Sequence, residues 1–275
     1  MTANKSWLSR ILPNDFRHTV RAMLAVTEMT FRQTVMDAFI IFTVLVQPLI
    51  IAIMALYMLG DRGQDIAIFV VVGSGMTGLW SSLLFISGNS INVERWSGTL
   101  ETLVGVPTPL SVIVIGKNIS NVLQSLGSMI VSYLLAGFLF GYSLRIEQPF
   151  LFIISLAFTI LAFISFALII APVFVMNPGV QSFQNALEFP IYILCGFLFP
   201  IALLPGWTTP LSYILPPYWA ARALHLTSSG GGSLQQIMLC WGMMLLFSGI
   251  YLFISSRLFT RMIDKARTDA TLDME

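Results

Sequence analysis

Long apolar runs broken by short polar stretches dominate the pattern along this chain. About six runs are long enough to matter: Phe39–Leu59, Ile66–Ser87, Val112–Gly141, Phe150–Met176, Leu187–Leu204 and Leu234–Leu258. Each approaches or exceeds the roughly 20 residues that cross a bilayer as a helix. The runs are continuous rather than alternating, which favours helices over a lipid-facing barrel. In hydrocarbon every backbone polar group needs an internal partner, and a helix supplies that within one segment. The pattern therefore predicts an all-α integral membrane protein with six transmembrane helices.

The segment before the first run reads differently. Between residues 15 and 37, Phe16, Val20, Met23, Leu24, Thr27, Phe31 and Val35 recur at helical spacing on one face. Arg17, Arg21, Glu28 and Arg32 fall on another, with Glu28 and Arg32 spaced for an i,i+4 ion pair. An apolar face opposite a basic one predicts an amphipathic helix at the membrane interface or against a partner. The predicted organisation is residues 1–38 as an N-terminus carrying this interface helix, 39–260 as one six-helix membrane domain, and 261–275 as a charged, frayed tail.

Composition sharpens the class. Hydrophobic residues make up 56% of the chain and charged residues 10%. Soluble domains carry about 25% charged residues, so most of this surface must face lipid. The net charge of +1 points to no nucleic acid. Its distribution orients the chain. Lys5, Arg10, Arg17, Arg21 and Arg32 precede the first run, Arg95 and Lys117 flank the second connection, and Arg257, Arg261, Lys265 and Arg267 follow the last. Only Arg62, Arg145 and Arg222 fall on the other side. Positive charge collects inside, which predicts a multi-pass protein of the cytoplasmic membrane with both termini in the cytoplasm. No run at the start resembles a cleavable signal.

Several candidate chemistries fail on context. Gly73, Gly75 and Gly78 spell a dinucleotide fingerprint, but inside an apolar run, where small residues serve close helix packing. No Gly-Lys-Ser or Gly-Lys-Thr is present, so this chain carries no phosphate loop for ATP. Cys195 and Cys240 read as small core residues. His18 and His225 lie far from ligand-spaced partners, and no metal site is expected. Glu188 is the one acid within or near an apolar core. It reads equally as an intramembrane functional site or as a hydrogen-bonded structural residue.

Two polar or broken stretches remain. Residues Asn92 to Leu103 form an island of Glu94, Arg95, Ser97, Thr99 and Glu101, with Trp96, Leu100 and Leu103 at near-helical spacing and Pro107 and Pro109 ending it. This predicts a short amphipathic helix between spans two and three, suited to a groove in a cytoplasmic partner. A solvated loop is the other reading. Between Pro200 and Leu226, prolines at 200, 205, 210, 216 and 217 cut an apolar stretch that also carries Trp207, Tyr213, Tyr218 and Trp219. Prolines break helices, and such aromatics favour the water–lipid boundary. Two short re-entrant helices at the outer leaflet are predicted, formed around Pro200, Pro205, Gly206, Trp207, Pro210, Pro216 and Pro217. Residues 228–233 then read as a flexible link into the last span.

The string Glu94-Arg95-x-x-Gly98-Thr99-Leu100-Glu101-x-Leu103, followed by Pro107-x-Pro109-Leu110-Ser111 and Gly116-Lys117, resembles the signature of ABC-2-type transporter permeases. A second resemblance runs from Phe199-Pro200-Ile201 through Leu204-Pro205-Gly206-Trp207 and Pro210-Leu211-Ser212-Tyr213 to Leu215-Pro216-Pro217-Tyr218. The family pattern usually carries a charged residue where Trp96-Ser97 stands. The resemblance covers nearly the whole chain and implies the membrane subunit of an ATP-driven exporter. Two permease copies would pair, and separate ATP-binding-cassette subunits would bind ATP and Mg, so this chain itself would bind no cofactor. Glu94, Arg95, Gly98, Thr99, Leu100, Glu101 and Leu103 would form the coupling helix to the ATPase. The expected cargo is a hydrophobic or amphipathic, drug-like molecule. Lipid-linked polysaccharide or teichoic-acid-type glycan is the alternative, and an integral lipid-modifying enzyme a distant one.

Overall fold

A computed structural model of the chain describes residues 16–42, 46–59, 64–99, 102, 108–141, 145–176 and 184–268. It is all helical among these residues. The elements are α1 (Phe16–Thr34), α2 (Ala38–Ile41), α3 (Gln47–Leu59), α4 (Gln64–Ser81), a π-turn (Ser82–Ser87), α5 (Ser90–Trp96), α6 (Leu110–Phe140), α7 (Pro149–Met176), α8 (Gln184–Leu194), two 3-10 turns (Ile201–Leu203 and Gly206–Thr208), α9 (Thr209–Ile214), α10 (Pro216–Ser229) and α11 (Leu234–Thr268).

Four helices among the described residues are long and apolar enough to cross a membrane: Ile66–Glu94, Leu110–Phe138, Pro149–Met176 and Leu234–Met262. They match the second, third, fourth and sixth predicted spans. The first span is met by the shorter apolar helix Gln47–Met58. The fifth departs from expectation, because Leu187–Leu204 does not form one helix. α8 stops at Leu194, and Gly196 takes a left-handed backbone at φ +68. A single left-handed residue ends a helix, and glycine adopts it without penalty. The chain then turns into the proline-rich segment.

The second span carries a distortion that periodicity did not predict. Between Ser82 and Ser87 the helix widens into a π-turn, and the Gly88 amide reaches back to the Leu83 carbonyl at 2.9 Å. Such turns are inserted bulges that re-aim the faces of a helix. α4, the π-turn and α5 together form one strut with its centre deep in the protein. Around it, α7 packs on α11, and α10 packs against α4, α7 and α11. Trp80 of the strut meets Phe166 and Phe163 of α7, with ring centroids 5.3 and 6.2 Å away.

α1 lies against α6. A Cβ at Gly116 would meet the Met23 carbonyl at 2.9 Å and Val26 at 3.1 Å, so the glycine lets the two helices touch. Thr27 Oγ1 donates across this contact to the Gly116 carbonyl at 3.0 Å. Leu24, Phe31 and Val35, from the predicted apolar face, are exposed. The Arg32–Glu28 pair forms at 2.7 Å on the surface.

Two further expectations are corrected at the C-terminal end. Residues 228–233 are not a loose linker. Ser228 and Ser229 finish α10, Gly230 caps it at φ +71, and Ser233 starts α11. Ser233 and Gln236 exchange hydrogen bonds, Gln236 N to Ser233 Oγ at 3.3 Å and Ser233 N to Gln236 Oε1 at 3.2 Å. This is a capping box. α11 also runs on to Thr268, so the first eight residues of the expected tail are helical.

Candidate functional site

The first residues of the island are the end of the strut. Glu94, Arg95 and Trp96 belong to α5, which continues the helix of span two. Gly98 then takes φ +67 in open space and turns the chain away. The Glu94 carboxylate accepts from the Lys117 ammonium of α6 and from the Thr99 hydroxyl, and the Thr99 amide closes on the Glu94 carbonyl at 2.9 Å. Lys117 Nζ also donates to the Ser90 carbonyl at 3.2 Å. The two spans are thus tied where they emerge. Beyond the tie, Trp96 is 67% exposed, with Ser97, Gly98 and Thr99 exposed beside it. The Arg95 side chain, Leu100, Glu101 and Leu103 lie outside the described residues.

A second polar group sits on the same strut, further in. Glu188 of α8 is buried, and its Oε1 accepts from Tyr192 Oη at 2.5 Å, Ser81 Oγ at 2.6 Å and Gln47 Nε2 at 3.3 Å. The carboxyl therefore joins α3, α4 and α8 at one point. Below it, Gln184 Nε2 donates to the Leu84 carbonyl inside the π-turn at 3.1 Å. From the other side, Asn121 Nδ2 donates to Ser87 Oγ at 2.9 Å, and Ser125 Oγ to Ser82 Oγ at 2.9 Å. The distorted turn is held by side chains from both neighbours, as an interrupted helix in an apolar medium requires.

The proline-rich segment lies at the opposite end of the strut. Each proline opens a piece. Pro200 and Pro205 precede the two 3-10 turns, Pro210 sits in the first turn of α9, and Pro216 and Pro217 begin α10. Proline's fixed φ suits a first turn, where its missing N–H is not needed. Two helices were expected, and the structure gives two helices plus two 3-10 turns. Pro216 to Ala221 of α10 are all buried. Gly206 and Trp207 form the exposed second turn. Gly73 of the strut permits the approach of this segment, because a Cβ there would overlap the Phe197 carbonyl. A Cβ at Gly75 would instead press on the Met129 side chain, 2.5 Å away.

Beneath the segment is a cavity of about 440 Å³, lined by Phe69, Tyr213, Tyr218, Arg222 and His225 among others. His225 stacks on Phe69 with centroids 3.6 Å apart, and its Nε2 lies 3.2 Å from the Phe197 carbonyl. Arg222 Nη1 donates to Tyr218 Oη at 3.2 Å.

The predicted residues therefore divide among three places along one helix. Sequence reasoning found Glu94, Gly98, Thr99 and Glu188 but not their partners. Lys117 was visible as part of the motif, and only folding puts it on Glu94. Gln47, Ser81 and Tyr192 are common polar residues in apolar runs, and nothing in their local pattern marks them. A comparison with curated proteins finds no match. A family model described as ABC-2 type transporter matches residues 21–229, from α1 through α10. That span includes the strut, the Glu188 junction and the proline-rich segment, so the chain belongs to the ABC-2 type transporter family and is a membrane component of an ABC transporter.

Proposed function

We propose that this chain is the permease half of an ATP-driven exporter, working as a pair of copies with separate ATPase subunits docked at the island end in the cytoplasm. One observation carries the reading. A single helix, tied to α6 by Glu94 and Lys117, runs from the exposed Trp96 corner past the Glu188 junction to the contact with the proline-rich segment. A push at the corner is delivered along a rigid element to the opposite end, since packed helices shift as units rather than deform continuously. The exposed indole of Trp96 replaces the charge usual at this position and offers an anchor for an ATPase groove.

The proposed cargo is a hydrophobic or amphipathic, drug-like molecule. Export of a lipid-linked glycan is the second reading, favoured by the aromatic rings of Phe69, Tyr213 and Tyr218 around the outer cavity. The test is reconstitution with the co-purifying ATPase in vesicles. Trp96→Ala should leave the chain folded and lower cargo-stimulated ATP hydrolysis by about tenfold, the effect of ~1.4 kcal/mol of lost coupling. Full stimulation in this variant would refute docking at the island. Transport of a lipophilic dye against transport of a lipid-linked oligosaccharide separates the two cargo classes.

A further inference from the structure

The outer cavity contains a cation with no counter-charge among the described residues. Arg222 of α10 lines it, and its guanidinium donates to the neutral hydroxyl of Tyr218. Among the described residues no carboxylate lies within ion-pair distance of it. A guanidinium offers five N–H donors in a planar fork, and one suffices for Tyr218. Arginine that is partly withdrawn from water normally meets an anion. Apart from Ser229, the rest of the wall is mainly apolar or aromatic: Phe69 and His225 form one stacked pair, and Tyr213 packs on Tyr218 with centroids 5.2 Å apart. The volume of about 440 Å³ falls within the range of small-ligand sites. An apolar chamber with one convergent cation suits a molecule with an apolar body and a single charged end.

We propose that this cavity binds the anionic head of an amphiphile, a phosphate or carboxylate engaged by Arg222, with its apolar part against Phe69 and the tyrosine rings. The guanidinium fork matches both oxyanions in bidentate geometry. Tyr218 holds the fork in place by the hydrogen bond to Nη1. The site stands on the cavity and its cation rather than on the transport reading, because its readout is binding and needs no ATP.

The experiment is equilibrium binding of radiolabelled dodecyl phosphate to the full-length chain, with any subunits that co-purify, in a nonionic detergent. Saturable binding is expected, weakened at least about tenfold in Arg222→Gln and retained within a few-fold in Arg222→Lys. Equal affinity in the wild type and Arg222→Gln would overturn the proposal. Should Arg222→Gln fail to fold, competition on the wild type decides. Unlabelled dodecyl phosphate must displace the label, and dodecyltrimethylammonium must not. Equal displacement by the cation overturns the site. Labelled inorganic phosphate separates the sources. Its binding at similar affinity identifies a free anion as the ligand, whereas its failure beside dodecyl phosphate binding identifies an anchored head group. Either result sustains the oxyanion site at Arg222.

Discussion

At the island end of the strut, the Glu94 charge is answered within the protein: its carboxylate has the Lys117 ammonium and the Thr99 hydroxyl, and Lys117 also reaches a backbone carbonyl. At the far end, some 25 residues and about 37 Å away along the helix, Arg222 has only a tyrosine hydroxyl and faces open volume. The first end is tied, with Trp96 exposed beside the tie. The second is open inward, between short pieces that each begin at a proline. A satisfied polar tie fixes geometry and can transmit displacement. An unsatisfied cation in a chamber leaves binding energy for something that enters. The Glu188 junction lies between them and follows the first rule, with three donors on one carboxyl oxygen.

The largest expected effect breaks the contact between the strut and the open end. Gly73→Ala sets a methyl group into the Phe197 carbonyl, and backbone yields poorly. A loss of about 3 kcal/mol is expected, at the upper end for overpacking, seen as a lower Tm in detergent. Gly75→Ala meets the flexible thioether of Met129 and should cost far less. Equal losses would show that the far end is not seated on Gly73.

Next in size is the junction. Glu188→Leu removes the shared acceptor of Ser81, Tyr192 and Gln47. At roughly 0.6–1 kcal/mol for each bond between helices in a membrane, the loss is about 2 kcal/mol. Glu188→Gln keeps an acceptor oxygen and should recover most of it. Thermal unfolding of the two variants side by side checks this, and equal Tm values would deny the junction a structural role.

The island tie comes third. Lys117→Met strips Glu94 of its cation at a partly exposed site, for about 1 kcal/mol. Transport coupled to ATP should fall by more than that stability change implies, because the corner loses its tie to α6. Unchanged coupling with a lowered Tm would reduce the tie to a structural one. The smallest effect is at Gly98. A methyl group there meets no atom within 4 Å, so Gly98→Ala carries only the left-handed backbone penalty of about 1 kcal/mol. It should shift Tm by a degree or two at an exposed, locally yielding turn.

Much of the fold is legible in the sequence. Runs such as Phe150–Met176 hold no charge and can be nothing but buried or lipid-facing helix. The positions at which the proline-rich segment breaks also follow from its prolines, since each fixes where a helical turn can start. The fifth span shows where the pattern misleads. Leu187 to Leu204 is apolar but for Glu188 and reads as one run, yet the chain turns at Gly196, and hydropathy cannot register a backbone turned left-handed. The Ser82–Ser87 π-turn is equally silent, because the residues that hold it open sit on α6 and α8. The Glu94 to Thr99 corner was visible as a motif, while the exposed face it offers became clear only once Lys117 was placed.

What the sequence alone determined is the medium and the helices. A chain with so few charges and such long apolar runs must satisfy its backbone internally, whatever its neighbours do. What tertiary structure decided is which polar side chains meet. Gln47 lies 141 residues from Glu188, and Ser81 lies 107 residues from it. In lipid the hydrophobic effect does not sort a helix face that touches protein from one that touches tails. That choice falls to small residues, close packing and hydrogen bonds between helices. Those are properties of pairs of surfaces, so Arg222 could be read in the sequence as an outer positive charge, and only the folded chain shows it lining a cavity with no acid at ion-pair distance among the described residues.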